Sequence, residues 1–227
     1  LKLKHYLLFL LFFPLSVWSQ SGKLLYEQTQ KFEYGNRDWT ITQQWELIFN
    51  DSIAICRYVK PKLETTSAGG MQVGRWIPDR KDFFITLLDS QTVHDLYEFE
   101  QKFYQVTGPS AQAIQWKFTG KQGLVESYPC IEAIFTKDGD TTLAWFSPRL
   151  PVSAGPLYWR GLPGLILHME RNGGKEIITL KNIDLNYAPK PEDFVVEWPR
   201  RTTPITYVEM LKMLYESQKK NRELFGR

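Results

Sequence analysis

Two histidines, two cysteines and a set of large aromatic side chains are the groups that could do chemistry once the first nineteen residues are set aside. His168 and Glu170 stand two apart in a strand-like run, so they share a face and could serve as an acid–base pair or as two ligands of a metal ion; ordinary surface pairing satisfies them equally well. His94 and Asp95 are adjacent, which on a strand turns them to opposite faces and works against their acting together. The chain has no His-Glu-x-x-His, Gly-x-Ser-x-Gly or phosphate-loop pattern, and its carboxylates show no pair placed for glycoside hydrolysis. No catalytic residue, metal or cofactor is therefore assigned, and the chain is not expected to be an enzyme. The aromatics are a better lead. Trp116, Trp145, Tyr158, Trp159 and Trp198 could line an apolar pocket, form a partner patch or fill the hollow of a curved sheet. Arg160, beside Trp159, could recognise an anionic group or form an ion pair. The candidate ligand- or partner-binding residues are thus Trp116, Trp145, Tyr158, Trp159, Arg160 and His168.

The elements that must position these groups are mostly strands. Between Leu24 and Asn182 the dominant hydrophobic period is two. Trp39, Ile41, Trp45, Leu47 and Phe49 alternate with polar residues, and Asn50-Asp51 reads as a turn into a strand through Ile53, Ile55 and Val59. Asp82–Leu88, Lys102–Thr107 and Ala113–Phe118 are further strand-like runs, and Lys121-Gln122-Gly123 reads as a turn. Ile131–Thr136 pairs naturally with Thr141–Phe146, and Leu165–Glu170 with Lys175–Lys181 about Asn172-Gly173-Gly174. Pro61–Gly74 reads as a polar loop. A helix is expected over about 206–224: Thr206 and Glu209 have capping-box spacing, and Val208, Leu211, Leu214 and Tyr215 form its apolar stripe. Pro189, Pro191, Pro199 and Pro204 place that helix on an extended arm.

Residues 147–164 interrupt the pattern with Pro148, Pro151, Pro156 and Pro163 and with Gly155, Gly161 and Gly164, which excludes a central strand. Leu162-Pro163-Gly164-Leu165 has the composition of a type II turn. Such a turn would send Leu165, Leu167 and Met169 to one sheet face and Ile166, His168 and Glu170 to the other.

The first nineteen residues have the layout of a secretory leader. Lys2, Lys4 and His5 precede the apolar run Tyr6–Phe13, and Val17-Trp18-Ser19 supplies a cleavage site after Ser19. That run is about half of the ~20 residues a membrane span needs, so no transmembrane anchor is expected in the mature chain. The whole chain carries 28 basic and 25 acidic residues; without Lys2 and Lys4 the net charge falls from +3 to +1, too small for a nucleic-acid footprint. With 43% hydrophobic and 23% charged residues, the composition also excludes a disordered chain. Two cysteines exclude a Cys-rich zinc module or a disulfide-dense scaffold. In an oxidising compartment Cys56 and Cys130 are expected to pair, with buried free thiols as the alternative.

Gly161-Leu162-Pro163-Gly164-Leu165-Ile166 spells GLPGLI, and the chain here resembles the GLPGLI family of exported Bacteroidota proteins. Tyr128-Pro129-Cys130-Ile131-Glu132-Ala133 is similar to the family's tyrosine–x–cysteine–x–x–alanine element, and Ala144–Pro148 with Leu150–Ser153 and Gly155-Pro156 is similar to its alanine–tryptophan and proline stretch. Thr141-Thr142 stands where the family commonly has glycine–arginine, and no role is assigned there. The specific likeness runs from about Trp116 to Met169. The family is a domain of unknown function, so the resemblance implies export to the periplasm or outer envelope and adds no catalytic residue.

The fold expected for residues 20–227 is one all-β domain, a curved antiparallel sheet or incomplete β-barrel with the C-terminal helix packed on it. The expected function is non-enzymatic binding of a hydrophobic ligand or peptide in the envelope. The alternatives are an interaction subunit of an outer-membrane assembly and a hydrolase. Expected partners are an apolar small molecule, a lipid or an envelope protein, and not nucleic acid.

Overall fold

The computed structural model describes residues 20–34, 37–59, 81–110, 113–137 and 139–225. The expected leader and the expected loop at Pro61–Gly74 lie outside the described residues.

The chain order is β1 (Gly22–Tyr34), β2 (Arg37–Phe49), β3 (Ile53–Val59), β4 (Phe83–Leu87), β5 (Thr92–Phe99), β6 (Lys102–Pro109), β7 (Lys117–Val125), β8 (Tyr128–Lys137), β9 (Asp140–Ser147), β10 (Leu165–Arg171), β11 (Glu176–Asp184), β12 (Thr203–Thr206) and α1 (Tyr207–Phe225). All twelve strands form one open sheet in the order β12-β6-β5-β4-β3-β2-β1-β11-β10-β9-β8-β7. The expected class, an all-β curved sheet with one C-terminal helix, is what the structure has. One detail differs: β12 pairs with β6 in parallel, because the proline-rich arm returns from β11 along the length of the sheet before it enters the helix.

The alternation in β2 works as read: Trp45, Leu47 and Phe49 are buried, and the strand pairs with β1 over its full length. The β8–β9 hairpin runs in register from Ile131↔Phe146 to Lys137↔Asp140. Two local expectations fail on β7. Ala113–Trp116 is turn and coil ahead of the strand, and Lys121–Gly123 lies inside it. The pairing shifts between Phe118 and Gln122, where Gly120 takes a φ of +83°, so the residues read as a turn are a bulge that kinks an edge strand. With Lys117 and Lys121 beside it, the bulge blunts this edge against pairing with another chain.

Residues 148–164 do not cross the surface. They fold into the hollow of the sheet as a plug. Tyr158 meets Phe84 of β4 with ring centroids 5.8 Å apart, and the next residue, Trp159, lies under the Arg171 guanidinium of β10 at 4.9 Å. Four strands separate β4 from β10 in the sheet order, which in a flat sheet is roughly 24 Å. Neighbouring residues can touch both only because the sheet curls around them. The helix closes the hollow from the other side through Tyr207, Met210, Leu211 and Tyr215, all buried. Val208, expected in that stripe, is exposed, and Tyr207 and Met210 take its place. The Thr206–Glu209 capping box is present: the Thr206 amide donates to Glu209 Oε2 at 2.7 Å, and the Glu209 amide donates to Thr206 Oγ1 at 3.2 Å. On the convex side a second apolar cluster, Ile48, Ile55, Phe83, Ile85 and Leu96, is covered by Tyr187, Phe194 and Val196 of the arm.

The GLPGLI turn is built differently from its expected form. Gly164 does not adopt a left-handed φ; Gly161 does, at +89°. A Cβ on Gly164 would lie 2.2 Å from the Ser147 carbonyl oxygen, so this glycine permits close approach of two backbones rather than a turn. The pairing between β9 and β10 shifts between Ile166 and His168, and this bulge buries Ile166 together with Leu165, Leu167 and Met169.

Candidate functional site

The six candidate side chains fall into two groups on opposite faces of the sheet. Tyr158, Trp159 and Arg160 sit in the plug, and Trp116 joins them by donating its indole N–H to the Arg160 carbonyl at 2.9 Å. His168 is in register with Thr179 and with Trp145, which places His168 and Trp145 on the face opposite Met169, Ala144 and Ile178. The structure does not bring the two groups together.

Inside the hollow, Arg160 is 2% exposed and Asp95 fully buried. The guanidinium donates to both carboxylate oxygens of Asp95, at 3.3 and 3.0 Å, to Thr86 Oγ1 at 2.9 Å, and to the carbonyls of Ile85 and Tyr158 at 3.2 and 3.1 Å. The Tyr207 ring lies 5.2 Å from its Cζ. Asp95 also accepts the Ile85 amide at 2.8 Å, replacing a ladder bond between β4 and β5. Burial pushes the Asp95 carboxyl up to about 6, and Arg160 pulls in the other direction without cancelling the shift. This pair pins the plug to the sheet. Leu157 contributes a further tie: at a φ of +54° it donates its amide to Cys56 Sγ at 3.2 Å.

A second buried polar chain runs along the same hollow. Arg171 donates to Glu176 at 2.7 Å; Gln28 donates to Glu176 at 2.6 Å and accepts the Trp45 indole N–H at 2.8 Å. Neither the Asp95 partner nor this chain is among the residues that the sequence pattern singles out. The signal was present: Asp95 lies between Val93 and Tyr97, and Gln28 continues Leu24 and Tyr26, so each is a polar residue at an inward position of an apolar row.

On the outer face, His168 bonds Thr179 Oγ1 through Nδ1 and Glu170 through Nε2, each at 3.1 Å. The three side chains lie along the outer face of the sheet, His168 and Thr179 half-buried and Glu170 exposed. Among the described residues, no group of three or more His, Cys, Asp or Glu side chains could hold a metal ion. No helix among them is long and apolar enough to cross a membrane.

The expected disulfide is not formed. Cys56 and Cys130 are both free and buried, and five strands lie between β3 and β8, which carry them. A bridge needs Cα atoms within about 7 Å, and the register also puts the two thiols on opposite faces, Cys56 inward beside Leu47 and Cys130 outward with Glu132 and Trp145. Burial raises the Cys56 thiol to about 12, leaving it unreactive. Alkylation of the denatured protein without reductant should therefore modify both thiols; a result unchanged from the folded, unreactive state until reductant is added would show a bridge.

Within the hollow the plug aromatics are packed, with Tyr158 5% and Trp159 1% exposed. Two grooves open on the surface. One, of about 360 Å³, is lined by Arg57, Tyr58, Lys81, Phe83, Val195 and Trp198 among others; the other, of about 340 Å³, includes Gln20, Asp51, Asp89 and Ser153.

These features define a class: an open β-sheet curled around a segment of its own chain and closed by a C-terminal helix. A family model described as a protein of unknown function (Porph_ging) matches residues 100–168, a stretch that contains the whole GLPGLI motif. No curated protein matches by sequence. Two crystal forms of PNGF-II share the fold, with TM-scores of 0.56 and 0.55 and 13% identity over 87% of this chain. The match covers 34% and 33% of those chains, so this chain spans about one third of their length. An outer membrane lipoprotein-sorting protein domain from Vibrio parahaemolyticus aligns at a TM-score of only 0.28, with 10% identity over 77% of this chain and 88% of that one, too low to define a common fold.

Proposed function

We propose that this is an exported, non-enzymatic protein of the cell envelope that binds a hydrophobic ligand or peptide, and that it does so at the groove between β3–β4 and the arm rather than inside the sheet. The observation that carries this reading is a contrast in exposure. The aromatics of the hollow are spent on packing, with Trp159 only 1% exposed, whereas Val195 and Trp198 of the arm are 67% and 40% exposed. Trp198 stands edge-on to Phe83 with centroids 4.9 Å apart, and Arg57 and Lys81 flank the same groove. An apolar platform ringed by polar groups suits an extended segment with one apolar side chain laid against Trp198. The leader-like first nineteen residues and the GLPGLI resemblance support the envelope location.

Native mass spectrometry of protein purified from its own envelope tests the proposal. The wild type is expected to retain a bound apolar molecule or peptide, and Trp198→Ala to lose it at unchanged Tm. Retention by the variant would move the site elsewhere, and absence of any bound species from the wild type would remove the reading.

A further inference from the structure

Gln20 and Asp51 both line the 340 Å³ groove, and the Gln20 backbone nitrogen donates to Asp51 Oδ1 at 2.6 Å. Asp51 is held there by its turn. Asn50 Oδ1 accepts the amides of Ser52 and Ile53 at 2.9 and 3.0 Å, and the Asn50 amide donates to the Ile53 carbonyl at 3.0 Å, so the backbone that carries Asp51 is held in a defined turn. On the other side Ser21 donates its hydroxyl to the Tyr187 carbonyl at 2.9 Å, which tethers the residue next to Gln20. Asp89, from the β4–β5 turn, adds a second carboxylate to the groove.

Gln20 is also the residue that follows the expected cleavage point after Ser19. Before cleavage its nitrogen is a neutral amide with one hydrogen to donate. After cleavage it is an α-ammonium with three, at the same place. We infer that the groove around Asp51 is the docking site for the processed N-terminus: cleavage converts the Gln20–Asp51 contact from a peptide hydrogen bond into an ion pair. The inference rests on the leader reading, and it assigns Asp51 a role that none of the binding residues above requires.

The ion pair has a chemical consequence. A free N-terminal glutamine loses ammonia when its unprotonated amine attacks its own Cδ: the N–Cδ bond forms, the Cδ–Nε2 bond breaks, and ammonia leaves with the transferred proton. An amine held as ammonium against Asp51 has no lone pair to attack with, so the groove protects the terminus it captures. A carboxylate at this distance should raise the amine's titration midpoint by about one unit and slow cyclisation about tenfold at neutral pH.

Two measurements test this. Intact mass of the exported protein establishes where it begins. The amine of protein beginning at Gln20 is then titrated by NMR after ¹³C reductive methylation, and ammonia loss of the unmethylated protein is followed by mass, in the wild type and in Asp51→Asn. The expected result is a start at Gln20, a midpoint about one unit higher in the wild type than in Asp51→Asn, and about tenfold slower ammonia loss. A start at another residue overturns the inference together with the leader reading. A start at Gln20 with equal midpoints and rates in the two proteins overturns the inference and leaves the leader reading standing.

Discussion

Arg160→Met should be the most damaging single change to the plug, costing about 3–5 kcal/mol at neutral pH in a chemical-denaturation measurement. The side chain fills a similar volume, so the loss is electrostatic rather than one of packing. It strands the Asp95 carboxylate, which is fully buried, without its counter-charge, and it leaves the carbonyls of Ile85 and Tyr158 and the hydroxyl of Thr86 without the donor they share. Asp95→Asn should cost less. Arg160 would keep its bonds to those three groups and its place on the Tyr207 ring, and the new amide would still accept the Ile85 amide. Larger damage from Asp95→Asn than from Arg160→Met would sink this account of the pair.

The same pair gives the protein a pH signature whose sign follows from the raised Asp95 value. Its carboxyl titrates at about 6 in the folded chain, above the ordinary carboxylate range near 4 that it takes when unfolded. Folding therefore binds a proton between those values, and the associated stability is complete below about pH 4 and lost as pH rises through 6. Two units correspond to about 3 kcal/mol. Asp95→Asn should abolish this part of the slope. Arg160→Met should carry it beyond pH 6, because removing the cation lifts the carboxyl further.

How much of this was legible in the sequence depended on whether a residue's partner was near in the chain. The hairpins at Lys137–Asp140 and Asn172–Gly174 were readable because alternation on both sides of a short turn fixes the register. The Thr206–Glu209 cap was readable for the same reason, since it spans three residues. Arg160 and Asp95 are 65 residues apart, and nothing in a local pattern says which strand a plug residue will meet. The period of two also cannot report a bulge: plain alternation puts Ile166 on the wrong face, because one unpaired residue inverts the alternation beyond it. An oxidising compartment alone favours pairing Cys56 with Cys130, but five strands lie between the strands that carry them. For the candidate site, residue type identified the plug aromatics as unusual, and the curl of the sheet decided that they became core instead of pocket.

The GLPGLI motif yields the second large expected effect, and two glycines separate the competing explanations. If the motif were a type II turn, Gly164 would be needed for its φ, and Asn, which tolerates the left-handed region, would partly replace it. In the structure the residue with that φ is Gly161, at +89°, and a Cβ there would find Trp116 Nε1 at a comfortable 3.8 Å. Gly161→Asn should therefore cost no more than about 1 kcal/mol. Gly164 has no such room: its Cβ would fall 2.2 Å from the Ser147 oxygen, 2.8 Å from the Ser147 carbon and 3.2 Å from the Phe146 ring. Two of those atoms are backbone, and they belong to the β9 residue that pairs with Leu165 at the start of β10, so relief requires parting the strands that the plug connects. Leu165 and Ile166 also donate their amides to the carbonyls of Leu150 and Ala154, so the displaced backbone would pull on the plug's first half as well. Gly164→Ala and Gly164→Asn should both cost about 3 kcal/mol, the upper end for forced overpacking. That corresponds to a fall in Tm of roughly 6–12 °C for a chain of this size. Near-wild-type stability of Gly164→Asn beside a destabilised Gly161→Asn would restore the turn and reject close approach as the reason for the motif's second glycine.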